Sequence, residues 1–111
     1  MSNPPNLTYP TALVLHALAH GYAYGFDIID ATGLASGTVY PLLRRLERLG
    51  CVASRWESQA KAAREGRPAR KYYRITGEGR ELLARARTRF GALGRALRPG
   101  RRPAPEESPA W

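Results

Sequence analysis

The sequence predicts a mainly helical α+β fold, and three observations lead to that prediction. The chain has 111 residues, which is enough for one compact domain. Apolar residues recur at three- and four-residue steps in several segments, as expected of amphipathic or buried helices. Two short segments in the second half contain aromatic and β-branched residues without helical periodicity, which indicates strands.

The first two helices are predicted near the N-terminus. Residues 10–19 (PTALVLHALA) form an apolar run in which Pro10 suits the first helical position. Because this run is apolar on nearly all sides, we expect it to be buried, with His16 in the core. Residues 24–32 (YGFDIIDAT) predict a second short helix, which Gly33 ends in a left-handed cap.

The third predicted helix begins near Ser36 and ends at Gly50. Ser36 or Thr38 is expected to cap it, and with Thr38 as the cap Pro41 would remove no helical hydrogen bond. One face is apolar and comprises Val39, Leu42, Leu43, Leu46 and Leu49. The opposite face comprises Tyr40, Arg44, Arg45 and Arg48. The tight turn after Gly33, followed by a helix with a basic outer face, is typical of a helix-turn-helix.

A two-stranded antiparallel ribbon is predicted next. Residues 51–57 (CVASRWE) and 71–75 (KYYRI) are the two strands, and residues 58–70 form a long basic loop between them. A helix-turn-helix followed by a ribbon with a charged tip is the layout of a winged helix-turn-helix, with a three-helix core and a two-stranded wing.

The last predicted helix runs from Gly77 to about Leu97, with Thr76 as its cap. A row at three- and four-residue steps resembles a coiled-coil seam of about two heptads. Its members are Leu83, Ala86, Phe90, Leu93 and Leu97. This row either packs on the first helix or forms a dimer interface, and the length of the helix favours the dimer. The expected division is an arm at 1–9, the winged helix-turn-helix at 10–76, a dimerisation helix at 77–97 and a disordered tail at 98–111.

The charge of the chain points to a polyanionic partner. Lysine and arginine number 18 against nine acidic residues, giving a net charge of +9. A small domain this basic attracts nucleic acid first and an anionic membrane surface second. A GC-rich genome also enriches arginine, so composition by itself leaves the partner open.

Several other classes of function are disfavoured. The one cysteine, Cys51, permits no intramolecular disulfide, and it forms no metal-ligand cluster with the two histidines. The chain shows no signal peptide and no apolar stretch approaching the ~20 residues of a membrane span, so we expect a cytoplasmic protein. The Ser58–Lys61 segment matches the serine-x-x-lysine pattern, but it lies in a predicted loop without partner motifs. We expect neither an enzyme nor a bound cofactor.

Two blocks of sequence carry a resemblance to a known family. Residues 36–47 (SGTVYPLLRRLE) closely resemble the recognition helix of the PadR family of transcriptional regulators. Residues 70–79 (RKYYRITGEG) resemble its second wing strand and the junction with the following helix. Residues 24–28 (YGFDI) resemble the second helix, and the likeness spans about Thr11 to Leu83.

The resemblance implies a bacterial repressor that works as a homodimer on double-stranded DNA, with an operator that is an inverted repeat. A small-molecule effector is left open. The single C-terminal helix resembles the small subfamily, some members of which bind planar drugs between tryptophans on that helix. Residues 77–97 contain no tryptophan, and Trp111 does not match that position, which puts such a drug site in doubt.

The expected DNA contacts come from the third helix and the wing. They comprise Ser36, Gly37, Thr38, Tyr40, Pro41, Arg44, Arg45, Arg64, Arg67, Arg70 and Lys71. Arg44 is expected to bond guanine, and the wing cations to bind phosphates. Tyr40 has packing beneath the wing as its alternative role. Trp56 with Tyr72 has an effector platform as a less favoured alternative to a packed apolar patch. A protein-binding adaptor and a non-specific RNA-binding module are the competing functions.

Overall fold

The computed structural model describes residues 7–91 together with Leu93 and Leu97. The elements within this part are α1 (Tyr9–Ala19), α2 (Gly25–Thr32), α3 (Ser36–Arg48), β1 (Val52–Trp56), α4 (Gln59–Arg64), β2 (Lys71–Ile75) and α5 (Gly77–Phe90). Helices α1 to α3 precede a two-stranded antiparallel sheet, which confirms the mainly helical winged helix-turn-helix fold. Residues 1–6 of the expected arm and the expected tail at 98–111 lie outside the described residues.

Helix α1 is the centre of the core. Thr8 caps it by accepting a hydrogen bond from the backbone N–H of Thr11, and every residue from Thr11 to Leu18 is buried. The helix packs against α2, α3, α5 and β2, which explains why it is apolar on nearly all sides. His16 is buried as expected, and neither of its ring nitrogens has a hydrogen-bond partner. Burial lowers its pKa to about 4, with further lowering by the nearby charges of His20 and Arg87.

Helices α2 and α3 form the helix-turn-helix. Gly33 ends α2 in the left-handed conformation, with φ of 74°, as the sequence predicts. The predicted cap of α3 is wrong: Ala35, in extended conformation, is the N-cap, and no side chain caps the helix. Pro41 therefore lies inside α3, and its missing N–H leaves the carbonyl of Gly37 without a helical partner. Gly37 is exposed at the helix start, where water can satisfy that carbonyl.

The wing is an antiparallel pair in which Val52 faces Ile75 and Trp56 faces Lys71. The backbone N–H of Tyr73 donates to the carbonyl of Ala23, 2.8 Å away, so the segment before α2 extends the sheet beside β2. The connection at 58–70 is not all loop, because it contains α4. The hydroxyl of Ser58 accepts from the backbone N–H of Lys61, and this cap allows the alanine-containing segment to form a helical turn and a half.

Helix α5 begins as predicted but ends seven residues early. Thr76 caps it, accepting a hydrogen bond from the backbone N–H of Gly79. The helix ends at Phe90 instead of Leu97, because Gly91 adopts φ of 70° and ψ of −131°, a conformation that glycine tolerates and that stops a helix. The predicted dimerisation helix at 77–97 is therefore shorter than expected.

The predicted dimer row packs largely inside its own chain. Leu83, Ala86 and Leu93 are buried in the core against α1, and Leu97 packs on the same core while partly buried. Phe90 is half-buried, with its ring 5.5 Å from that of Tyr9. The expectation that this whole row faces a second copy is wrong for the three buried members. The row has the pattern of a coiled-coil seam because packing on α1 requires the same apolar spacing.

Candidate nucleic-acid interface

The outer face of α3 is polar and basic because its inner face is committed to the core. Val39, Leu43 and Leu46 are buried, and their spacing turns the remaining positions outward. The exposed residues include Ser36, Gly37, Pro41, Arg44, Arg45 and Arg48, while Thr38 and Tyr40 are half-buried. The structure thus places the expected DNA contacts of α3 on one face, where Thr38 and Tyr40 are less accessible than the others.

The wing is tied to the end of α3. The hydroxyl of Ser54, on β1, donates a hydrogen bond to the carboxylate of Glu47. The ammonium of Lys71, on β2, lies 3.9 Å from the same carboxylate. Its Nζ also lies 5.8 Å from the ring centroid of Trp56 and 5.7 Å from that of Tyr73. These contacts fix the position of the wing relative to α3, and Lys71 contacts both the carboxylate on α3 and the aromatic rings of the wing.

The tip of the wing is folded around a buried carboxylate. Glu57 is buried, and it accepts hydrogen bonds from the guanidinium of Arg67 and from the backbone N–H of Arg70. The bond from Arg67, together with that from Arg70, holds the pKa of Glu57 below its usual range despite burial. Arg67 also forms an ion pair with Glu65. The sequence suggested Arg67 as a phosphate ligand, but its charge is matched by two carboxylates and it braces the wing instead.

The remaining wing cations have different surroundings. The guanidinium of Arg70 lies 4.8 Å from the centroid of the Tyr24 ring, and the hydroxyl of Tyr72 contributes most to raising its pKa. Arg64 is exposed at the end of α4. Arg70 and Lys71 are half-buried, as Arg67 is, but neither of them is paired with two carboxylates.

A cavity of about 370 Å³ lies between α3 and the wing, and sequence reasoning did not predict it. Its aromatic walls are Tyr24, Tyr40, Trp56 and Tyr73, and its cationic walls are Arg67, Arg70 and Lys71. The wall residues come from α3, both strands, the wing tip and the segment before α2, so no local pattern predicts their meeting. The signals available in the sequence were Gly25 at the start of α2 and Tyr40 among the polar positions of α3.

Tyr40 occupies its place in this cavity because Gly25 has no side chain. A Cβ added at Gly25 would lie 2.7 Å from Cε1 of Tyr40, which is closer than real contacts allow. Burial raises the pKa of the Tyr40 hydroxyl, with a smaller contribution from Tyr24. Packing beneath the wing is the alternative role considered for Tyr40, and the structure places its ring there, beside Gly25 and in the same cavity lining as Trp56 and Tyr73.

The predicted packed patch of Trp56 with Tyr72 is wrong. Trp56 is 62% exposed, whereas Tyr72 is fully buried. Tyr72 pairs with Arg55 across the ribbon and Trp56 pairs with Lys71, so the two rings point to opposite faces of the sheet. Because successive side chains along a strand point to opposite faces of the sheet, the rings of Trp56 and Tyr72 cannot form one binding platform.

The same described residues offer neither a metal site nor a membrane span. No group of three or more histidine, cysteine, aspartate or glutamate side chains in that part of the chain could hold a metal ion. None of its helices combines the length and apolar character that crossing a bilayer would require. Cys51 is buried, as expected of a core residue at a strand start, and burial raises the pKa of its thiol.

Comparison with known proteins gives a family match. Residues 14–85 match the model of the transcriptional regulator PadR-like family, which is more than half of the chain. No curated protein matches the chain. Several solved structures are similar to this chain along most of their own length. A PadR family transcription regulator from Clostridium difficile is 25% identical, covers 75% of this chain and 88% of its own, and has a TM-score of 0.64.

The second similar structure is a PadR family transcriptional regulator from Eggerthella lenta, which is 31% identical over 71% of each chain with a TM-score of 0.56. A third is a mutant MepR from S. aureus bound to an oligodeoxyribonucleotide. It is 28% identical, with a TM-score of 0.57, and the match covers 76% of this chain and 58% of that one.

Proposed function

The chain belongs to the PadR-like family of transcriptional regulators, and from that premise we propose that it is a dimeric cytoplasmic repressor whose α3 reads an inverted-repeat operator. A DNA-binding regulator is what its family and its winged-helix neighbours have in common. The single observation that carries the finer proposal is the outer face of α3, where three exposed arginines follow a helix start with accessible backbone N–H groups.

The recognition step in this proposal uses α3 from its first turn onward. The backbone N–H groups near Ser36 and Gly37 have no helical partners and no side-chain cap, which suits a phosphate oxygen at the positive end of the helix dipole. Arg44, about two turns further along, enters the major groove and bonds guanine through O6 and N7, a contact worth roughly 1–3 kcal/mol of discrimination. Arg45 contacts the DNA backbone.

The wing supplies sequence-independent affinity. Arg64, Arg70 and Lys71 contact phosphates, each releasing condensed counterions, while Arg67 keeps the tip in shape. Support comes from the MepR mutant, which has a related structure and was solved on an oligodeoxyribonucleotide. A winged helix placed with α3 in the major groove brings its ribbon beside the adjoining backbone.

The proposed dimer goes together with the proposed inverted repeat, because one winged helix would read one half-site and two half-sites lie about one helical turn apart. Of the five residues predicted for its interface, Leu83, Ala86 and Leu93 are already used by the core. Phe90 and Leu97 are half-buried and retain surface for a partner. The exposed ring of Tyr9 lies against Phe90 and extends that surface.

The test is binding to the DNA that flanks the protein's own gene, measured by fluorescence anisotropy and by footprinting. We expect a protected region with two-fold symmetry and a specificity ratio of about 10³ or more over random duplex. Arg44→Glu should abolish specific binding without unfolding the protein. Arg80→Glu, the same charge reversal at an exposed position of α5, is the matched control and should retain specific binding.

The competing functions give different results in the same assay. Retained operator affinity in Arg44→Glu would show that α3 is not the reading element. Equal or better binding to single-stranded RNA would favour the RNA-binding module, because such modules stack unpaired bases on aromatic rings. Indifference to duplex DNA at modest ionic strength would favour a protein-binding adaptor.

A further inference from the structure

The cavity between α3 and the wing is an open groove of aromatic rings. Tyr24, Tyr40, Trp56 and Tyr73 line it, and Trp56 is 62% exposed although its side chain is large and mostly apolar. Aromatic-lined grooves bind extended proline-rich segments, because a polyproline II chain is already ordered before it binds and loses little entropy. The groove is therefore suited to a chain segment of that composition.

The charges around the groove favour an acidic segment. Arg67 is paired with two carboxylates and Lys71 with one, 3.9 Å away. The guanidinium of Arg70 lies 4.8 Å from the centroid of the Tyr24 ring and, within the described part of the chain, forms no salt bridge. The described residues that line the groove include no acidic side chain. A carboxylate entering the groove would therefore meet a guanidinium whose charge is not offset.

The chain itself carries a segment with the complementary composition. Its tail, residues 98–111 (RPGRRPAPEESPAW), lies outside the described residues and contains four prolines. Glu106 and Glu107 are the only acidic residues after Glu81, and Trp111 follows them. Because the tail has few large apolar residues, we do not expect it to form a core of its own, which leaves its tryptophan and carboxylates for another surface.

We propose that residues 105–111 of the tail dock in the groove between α3 and the wing. Trp111 stacks on the aromatic walls, and the carboxylates of Glu106 and Glu107 pair with Arg70. Aromatic rings attract one another in offset or edge-to-face arrangements, and a planar guanidinium forms paired hydrogen bonds with a carboxylate. The tail thus matches both the apolar and the cationic part of the groove.

The length of the tail permits this docking. Leu97 packs on the core, and Trp111 lies 14 residues further along the chain. In polyproline II form, at about 3.1 Å per residue, this segment spans about 43 Å. The longest dimension of the structure is 44 Å. Tethering gives the tail an effective concentration in the millimolar range, so an intrinsic Kd of about 0.1 mM keeps the groove mostly filled.

A docked tail competes with DNA, and this consequence rests on the function proposed above. Tyr40 lies on α3 and Lys71 on the wing strand, so a segment between them covers part of the surface that would face the operator. The glutamates also take the place of phosphates at Arg70. The tail and the operator therefore exclude each other, and the tail lowers operator affinity.

Docking is measured through the accessibility of Trp111. Trp56→Phe keeps an aromatic wall and leaves Trp111 as the one tryptophan of the chain. Acrylamide quenching, with excitation at wavelengths that tyrosine does not absorb, then reports Trp111 alone. We expect a quenching constant about twofold lower in the folded protein than in urea, because a stacked ring is covered on one face.

Variants of the tail test its charge without touching the folded domain. Glu106→Gln together with Glu107→Gln should raise the quenching constant about twofold, because a hydrogen bond between charged groups contributes about tenfold or more to affinity. Arg101→Gln together with Arg102→Gln is the matched control, since it removes two charges of the opposite sign from the same tail. This control should leave Trp111 protected.

Variants of the groove test the other side of the same contact. Arg70→Gln should raise the quenching constant as the two glutamate substitutions do, and combining all three should raise it no further, because they remove one shared contact. Arg80→Gln removes the same charge from an exposed position of α5 and should change nothing. Arg70→Gln should keep the wing folded, because Arg70 bonds Glu57 through its backbone N–H, and thermal unfolding checks this.

Three results would overturn the proposal. The first is a quenching constant of Trp111 that is equal in the folded and the urea-denatured protein. The second is protection that neither Arg70→Gln nor the paired glutamate substitutions reduce. The third is protection that disappears on dilution and does not depend on Arg70, which would place Trp111 against a second copy of the chain instead of in the groove.

Operator binding is measured separately, with Trp56 in place, so that the two proposals can fail independently. Trp111→Ala, which leaves the net charge unchanged, should bind labelled operator about threefold or more tightly than the parent protein, because it frees the DNA-binding surface. Operator binding by a protein whose Trp111 is fully accessible would retain the proposed function and refute docking. Protection of Trp111 that depends on Arg70, in a protein that binds no duplex DNA, would retain docking and refute the proposed function.

Discussion

Two glycines at the start of α5 allow a sharp test of the packing between this helix and the wing. A Cβ added at Gly79 would lie 2.1 Å from the carbonyl oxygen of Cys51 and 2.7 Å from Cγ1 of Ile75. Carbon and oxygen rarely approach within about 3.3 Å, so Gly79→Ala forces the start of α5 away from the backbone of Cys51 by roughly 1 Å. The same addition at Gly77, two residues earlier, meets nothing within 4 Å.

The displacement acts on a pair of hydrogen bonds as well as on packing. The backbone N–H of Thr76 donates to the carbonyl of Cys51 at 3.1 Å, and the Thr76 hydroxyl donates to the carbonyl of Gly50 at 2.6 Å. Overpacking costs about 1–3 kcal/mol, and each weakened hydrogen bond about 1 kcal/mol. The better helix propensity of alanine returns up to about 1 kcal/mol. Gly79→Ala should therefore lower the free energy of unfolding by about 2–4 kcal/mol.

Urea and thermal unfolding, followed by circular dichroism, measure this loss. A domain of this size loses about 4–8 °C in Tm per kcal/mol, so the Tm of Gly79→Ala should fall by about 10 °C or more. Gly77→Ala should stay within about 1 kcal/mol of the parent protein, on the stabilising side. If Gly79→Ala lowered the free energy of unfolding by less than about 1 kcal/mol, or if both variants lowered it equally, the close approach of α5 to the backbone of Cys51 would be refuted.

Three further predictions concern single sites. Gly25→Ala places a Cβ against the Tyr40 ring, which can rotate away, so the free energy of unfolding should change by less than about 1 kcal/mol. Because the ring leaves its place on the face of α3, operator binding should weaken about tenfold. Unchanged operator affinity would contradict this prediction. His16 has a folded pKa of about 4 against 6.5 when unfolded, so the unfolded chain binds more protons between these values and stability falls as the pH falls. The free energy of unfolding measured in urea should fall by about 2 kcal/mol between pH 7.5 and 5 because of His16, and His16→Leu should lack that fall. Identical pH profiles of stability for the two proteins would contradict this assignment. The thiol of Cys51 is buried and its pKa is raised, so a thiol reagent such as DTNB should label the folded protein at least about 100-fold more slowly than the denatured one. Equally rapid labelling of the folded protein would show that the thiol is accessible.

The sequence by itself determined the order of most elements and the two faces of α3. Those features depend on local spacing: apolar residues three and four apart make one stripe, and the residues between them must point outward. Gly33 and Thr76 likewise mark helix ends through backbone preferences that act within a few residues. The family resemblance rests on the same local blocks, and the match over residues 14–85 confirmed it.

Tertiary structure decided what the surfaces of those elements contact. The row from Leu83 to Leu97 has a spacing that fits either a partner helix or α1, and the choice of α1 depends on how the whole core closes. The end of α5 at Phe90 depends on the positive φ that Gly91 adopts, and a glycine at this position is compatible with either a helical or a non-helical backbone. Arg67 and Arg70 look alike in the sequence, yet the fold brings a buried Glu57 to the first guanidinium and only to the backbone of the second. Charge neutralisation and burial are long-range properties, because they depend on residues that are distant in the chain and adjacent only after folding.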